Sequence, residues 1–273
     1  MIQRKTIRLI DEAYAILSEH KPMTLRQVYY QLVSRQVIKN NRGSYQAVSN
    51  ALVYARQEGL IPWGWIEDRL RVPRVVSMWD DVPDFVGVAS QAYRRDVWAT
   101  QPGYFEVWLE KDALSGIFED VLGRYGVTLN VGRGYDGWSS IRNAAQRLNG
   151  REATILYFGD FDPSGEDMAR SLRDRLGFFG EPPEVRKVSL TLEDIELYNL
   201  PPDLAKRTDT RTAAFIEKNG DVSVELDALP VAVLRGRLEL EVENLLDLTA
   251  LAKTRELETR ERAAIAQALE AIG

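Results

Sequence analysis

Cysteine is absent from the 273 residues and histidine occurs once, at His20. Disulfides, thiolate metal sites, iron–sulfur clusters and thiol catalysis are therefore excluded. A histidine metal triad cannot be built, and a Ser-His-Asp hydrolase has little to work with. No apolar run approaches the roughly 18 residues that would cross a bilayer. The opening MIQRKTIRLIDEAY lacks the apolar stretch of a signal peptide. These absences predict a soluble, cytoplasmic chain with no membrane partner, whose chemistry rests on carboxylates, hydroxyls and cations. Apolar residues make up 45% and charged residues 28%, enough for a substantial core.

Net charge is −6, but it is unevenly spread. Residues 1–75 hold 12 Lys/Arg and 6 Asp/Glu, whereas 76–273 hold 23 and 35. A basic module joined to an acidic one is the simplest reading. The first suits phosphates and the second suits hard divalent cations.

The basic part, 1–75, reads as three helices over about 3–19, 25–36 and 44–58. Ile7, Ile10, Tyr14 and Leu17 mark the first, Thr24 caps the second and Gly59 stops the third. Leu60 to Ile66 suits a short aromatic β-ribbon, with Trp63 and Trp65 as its core. Three helices and a ribbon make a winged helix-turn-helix, with the third helix reading DNA. Arg42, Tyr45, Asn50 and Arg56 are its candidate DNA contacts. Residues 76–103 form a connector with a weak helix near 84–97. His20 reads as a surface or capping residue.

From 104 the pattern becomes alternating strand and helix. Strands are predicted at Tyr104–Leu109, 127–131, Ala153–Phe158 and 185–190, with helices at 113–125, 139–148 and 164–176. Ser164 and Asp167 suggest a capping box for the last. An open, mainly parallel α/β sheet over 104–228 follows, with a helical tail over 229–273.

Ligands gather beyond the carboxyl ends of parallel strands, and three acids fall there. Glu110 follows one strand; Asp160 and Asp162 follow another. If those strands are neighbours, the acids converge on a cation, for which Mg²⁺ is the natural choice and Mn²⁺ an alternative. Unrelated loop acids would give the same spacing. An EF-hand is disfavoured because Ser171, not Glu, would stand at the twelfth position. A haloacid-dehalogenase phosphatase is disfavoured because two strand–helix units precede the Asp pair.

Three segments carry a family resemblance: Leu109-Glu110-Lys111-Asp112-Ala113, Gly132-Arg133-Gly134-Tyr135-Asp136 and Gly159-Asp160-Phe161-Asp162-Pro163-Ser164-Gly165. They resemble the Toprim domain, in the subtype of the type IIB topoisomerase A subunit and its meiotic double-strand-break relatives. Leu25-Arg26-Gln27-Val28-Tyr29-Tyr30 resembles the Arg-x-x-Tyr-Tyr segment of that family's winged-helix domain. The resemblance covers about 24–180 and extends to Glu225-Leu226-Asp227-Ala228-Leu229. It implies DNA as substrate, Mg²⁺ at Glu110, Asp160 and Asp162, a catalytic tyrosine and a homodimer in which one subunit's tyrosine serves the other's metal site. Lys111 and Arg133 become further candidate contacts to DNA. The chain is shorter than the family's A subunits and has no ATP-binding motif, so an ATPase would be a separate subunit.

Helical periodicity distinguishes the two tyrosines. Leu25, Val28, Tyr29 and Leu32 form one stripe, placing Tyr29 in the core and Tyr30 on an open face beside Arg26. Tyr30 is the expected nucleophile, Arg26 its cation and Glu110 its metal-bound partner. Two readings remain beside it, a hydrolytic Toprim nuclease with structural tyrosines and a DNA-binding protein without catalysis. RNA is not excluded as substrate.

Overall fold

The computed structural model describes residues 4–67, 76–132, 137–202 and 211–270. Three helices open the chain, α1 (Arg4–His20), α2 (Leu25–Ser34) and α3 (Arg42–Gln57), and each packs against the other two. Thr24 caps α2 through a reciprocal capping box with Gln27, as its hydroxyl spacing predicts. Gly59, at φ 72°, carries the chain away from α3 in a conformation that disfavours side chains with a Cβ.

Three details depart from expectation. The buried stripe of α1 runs through Leu9, Ile10, Ala13, Ile16 and Leu17, leaving Ile7 and Tyr14 exposed. The aromatic ribbon is instead a 3₁₀ turn, Trp63–Trp65, joined to the helices by a single parallel bridge between Met23 and Ile66. Pro62 lacks the N–H that a strand ladder needs. Trp63 lies exposed beneath Arg56, and Trp65 packs on Tyr14 and Lys21, so neither forms a wing core. No pair of wing strands occurs among the described residues; 68–75 lie outside them.

After α4 (Val82–Ala92) the α/β region begins. Its strands are β1 (Tyr104–Leu109), β2 (Thr128–Val131), β3 (Ala153–Phe158) and β4 (Glu184–Ser189). All are parallel, in the order β2-β1-β3-β4. Helices α5 (Ser115–Tyr125), α6 (Trp138–Leu148) and α7 (Pro163–Gly177) connect them, followed by α8 (Leu192–Leu197), α9 (Thr212–Asn219), α10 (Val231–Leu245) and α11 (Leu248–Glu270). The expected α/β class and parallel sheet are both present. The start of α7 differs: its cap is Asp162, whose Oδ1 accepts from the Gly165 amide and the Ser164 hydroxyl.

Every residue of β1 is buried, as expected for a central strand covered on both faces. Phe105, Val107 and Leu109 point into one core, which continues through α5 and α10 and into the N-terminal helices. Tyr104 and Trp108 point into the other, with Ile155, Tyr157 and residues of α6 and α7. Glu106 is wholly buried and held bidentately by Arg147, with further donors from Asn130 and Tyr104. No described helix is long and apolar enough to cross a membrane.

Candidate functional site

Strands β1 and β3 are hydrogen-bonded neighbours with Leu109 opposite Phe158. The residues beyond them therefore meet. The Glu110 amide donates to the Phe158 carbonyl at 2.9 Å, and the Asp160 amide donates to Glu110 Oε2 at 2.9 Å. Tyr157 Oη donates to the same Glu110 oxygen at 3.1 Å. Gly159 is required here: a Cβ would lie 2.6 Å from Glu110 Oε2 and from the Tyr157 ring. Gly165 is similarly constrained, since its Cβ would meet the Asp160 carbonyl oxygen at 2.2 Å.

A second segment delivers acids that the strand pattern did not identify. Phe161 and Val224 form an antiparallel bridge with two hydrogen bonds of 2.9 Å. The Leu226 amide then donates to Asp160 Oδ1 at 2.8 Å. This places Glu225 and Asp227 at the rim beside Asp160. The signal in the sequence was an acidic pair two apart, the same spacing as Asp160 and Asp162.

Lys111 lies at the centre of this group. Its Nζ is 2.6 Å from Asp227 Oδ1, 2.7 Å from Glu225 Oε2 and 3.2 Å from Asp160 Oδ1. Burial works against its charge, but Asp227, Asp160 and Glu225 together hold its pKa above the ordinary lysine value. Lys111 was expected to reach DNA; with three carboxylates around it and little exposure, it serves the site's interior instead.

Helix α2 closes the group from the other side. Gln31 and Ser34 donate to the Leu229 and Ala228 carbonyls, seating α2 on this segment. Arg26 then reaches Glu225 at 2.5 Å and Asp227 at 3.1 Å. Asp227 Oδ2 is fully buried and, despite that ion pair, has no aligned hydrogen bond. The Tyr30 phenol lies close enough to Glu225 to feel its charge, with Arg26 and Lys111 5.7 and 5.8 Å from its ring centre.

Tyr30 was expected on an open face, yet it is 8% exposed, because the face of α2 opposite the helical core packs on the 226–229 segment. Burial, then the neighbouring Glu225 carboxylate, push its phenol pKa well above the usual tyrosine value. Arg26, expected to favour the phenolate, is instead committed to Glu225 and Asp227. Tyr29 is core as expected, with its hydroxyl bonded to Asn40 and accepting from the Asn41 amide. The resemblance implied that a tyrosine meets the metal site of a partner subunit; here Tyr30 lies at the acids of its own chain.

The electrostatics are uneven. Burial pushes the Asp160 carboxyl up to about 7, with Lys111 opposing and Glu110 reinforcing the shift. Glu225 is held down to about 2, because Lys111 and the hydrogen bonds from Lys111 and Arg26 outweigh its burial. Asp227 is pushed up by complete burial.

Glu110 and Asp160 offer hard oxygen donors just beyond the neighbouring strands β1 and β3, and a divalent cation would favour the charged form of Asp160 that burial disfavours. Magnesium is commonly held by one or two carboxylates, with water and substrate phosphate completing its shell. The pair fits that pattern. Each of the three acids has one engaged oxygen: Asp162 Oδ1 caps α7, Asp160 Oδ1 accepts from the Leu226 amide, and Glu110 Oε2 accepts from Tyr157 and the Asp160 amide. No ready-made group of three metal-ligating side chains occurs among the described residues.

The other expected DNA contacts that are described lie along α3. Arg42 is exposed at the first turn of α3, and Tyr45 packs edge-on against Tyr29. Asn50 pairs with Gln46, and Arg56 covers Trp63. Arg133 lies outside the described residues.

No protein-family model matches the sequence, and no curated protein resembles it significantly.

Proposed function

We propose that this chain breaks DNA strands, with Tyr30 as nucleophile and the acids at the sheet rim as its metal site. The reading joins the Toprim-like motifs to a winged-helix-like module, in the manner of a compact type IIB topoisomerase A subunit. The observation that carries it is the placement of Tyr30 against Glu225, in the same cluster as Asp160 and Glu110. In this reading the nucleophile and the hard oxygen ligands come from one cluster of side chains.

Glu225 stays ionised near neutrality and faces the Tyr30 phenol, so it orients the hydroxyl; held down to about 2, it is a weak base and does not keep the proton. Tyr30 Oη then bonds to phosphorus while one P–O bond of the backbone breaks. The Tyr30 proton passes through water to the departing oxygen, which leaves as a hydroxyl. Arg26 and Lys111 keep the surrounding carboxylates from repelling the phosphate. Glu110 and Asp160 would hold Mg²⁺, which supplies positive charge to the phosphoryl oxygens when bound. A homodimer and a separate ATPase subunit belong to the same proposal.

The burial and high pKa of Tyr30 favour a second reading, in which water attacks and Tyr30 only positions Glu225. Plasmid nicking with Mg²⁺ or EDTA, followed by denaturation, tests both. Transesterification predicts metal-dependent nicks with protein covalently attached, both lost in Tyr30→Phe. Nicking that persists in Tyr30→Phe without attached protein selects hydrolysis. No nicking by wild type, under conditions in which it binds DNA, leaves a DNA-binding protein without catalysis.

A further inference from the structure

A groove of about 520 Å³ lies between α1 and the turn that leads into α3, away from the acid cluster. Lys5, Arg8 and Lys39 line it together with Gly43 and Ser44 of the first turn of α3; Leu9, Val37 and Ile38 are among its apolar lining. Lys5 and Arg8 are three apart on one helix face, so both side chains stand over the same wall. All three cations are exposed. None has a carboxylate partner within ion-pair distance among the described residues, whereas the cations of the acid cluster are fully engaged.

The backbone adds to this field. α3 starts without an acidic residue in its first turn and is capped by the neutral Asn41, so the positive end of its dipole is not cancelled. α1 also has no acid in its first turn. A concave, low-dielectric floor strengthens the field of the charges above it. In this groove cations without an ion-pair partner among the described residues lie beside the N-terminus of α3.

We infer that this groove is a binding site for a run of backbone phosphates, with Lys5, Arg8 and Lys39 as its contacts. The inference rests on the DNA reading above and extends it to residues outside the third-helix set. Its three contacts are cations that would meet phosphate oxygens, so they would hold DNA without selecting its sequence.

The test is binding of a fluorescein-labelled 20-base-pair duplex in EDTA, which keeps binding apart from cleavage. Lys5→Gln/Arg8→Gln/Lys39→Gln is compared with a control carrying the same charge change elsewhere, Arg142→Gln/Lys218→Gln/Lys253→Gln. The groove variant should bind about tenfold or more weakly at 0.1 M salt, with the slope of log K against log[salt] reduced by about 2 to 3. The control should match wild type. Unchanged affinity and slope in the groove variant overturn the inference while leaving DNA binding intact. So does equal weakening of variant and control. If wild type binds tripolyphosphate but not the duplex, and the groove variant loses it, the groove stands and the DNA reading falls. Binding of neither probe by wild type overturns both. Circular dichroism melts should coincide for all three proteins, since the substituted side chains are exposed and have no ion pair among the described residues.

Discussion

Arg26 on α2 stands 3.1 Å from the buried carboxylate of Asp227, beyond the opposite end of the chain's α/β region. That ion pair ties the N-terminal helices to the rim of the sheet. It also places the neighbouring Tyr30 against Glu225. Its consequence is that the helical module and the acid cluster are a single electrostatic unit, so disturbing one should be felt in the other.

Lys111→Met tests that unit directly. The substitution leaves Asp160, Glu225 and Asp227 close together with only Arg26 to offset them. Removing one partner of a buried ion pair costs about 3–5 kcal/mol. Urea unfolding at pH 7.5 should show a loss of that order, shrinking toward pH 5 as Asp160 takes up a proton. A loss below about 0.5 kcal/mol, the range of ordinary surface substitutions, would mean that the cluster is solvated.

Asp160 sets the sign of a pH dependence. Its folded pKa, about 7, lies above the ordinary aspartate value of 3.8, so the folded state binds more protons between those values. Its contribution to stability is fully present below pH 3.8 and is lost as pH rises through 7. Asp160→Asn removes that titration. The variant should therefore gain on wild type by about 2 kcal/mol between pH 5 and pH 8 in urea unfolding without metal. Parallel profiles for the two proteins would show that Asp160 titrates normally.

Gly165→Ala should damage the site from within the backbone. The new Cβ would meet the Asp160 carbonyl oxygen at 2.2 Å, and neither atom belongs to a flexible side chain. Overpacking of this kind typically costs about 1–3 kcal/mol, and occasionally more. A lower Tm together with at least tenfold weaker Mn²⁺ binding by calorimetry is expected. Unchanged values of both would show that the Asp160 loop is free to shift.

Arg147→Met should separate stability from function. It strips the bidentate partner from wholly buried Glu106, on the sheet face away from Tyr30. A loss of about 3–5 kcal/mol is expected. Below the new Tm, DNA binding should equal that of wild type. Loss of DNA binding in a protein that remains folded would place this face in the functional surface.

The sequence alone determined the parts that depend on short-range periodicity. β1 and β3 begin and end where their apolar runs do, because a strand covered on both faces needs a continuous apolar segment. Thr24 could be read as the cap of α2 because capping involves residues three apart. The positions of Glu110 and Asp160 just beyond two strands were legible for the same reason. The tertiary structure alone decided that β1 and β3 are neighbours, which is what brings those two acids together. It also decided that the 224–227 segment pairs with Phe161, adding Glu225 and Asp227 through contacts that no local pattern encodes. Periodicity correctly turned Tyr30 away from the helical core, but a helix with two covered faces buries both of its tyrosines. Local spacing fixes which way a side chain points along its own element; what it meets there depends on which distant segment packs opposite.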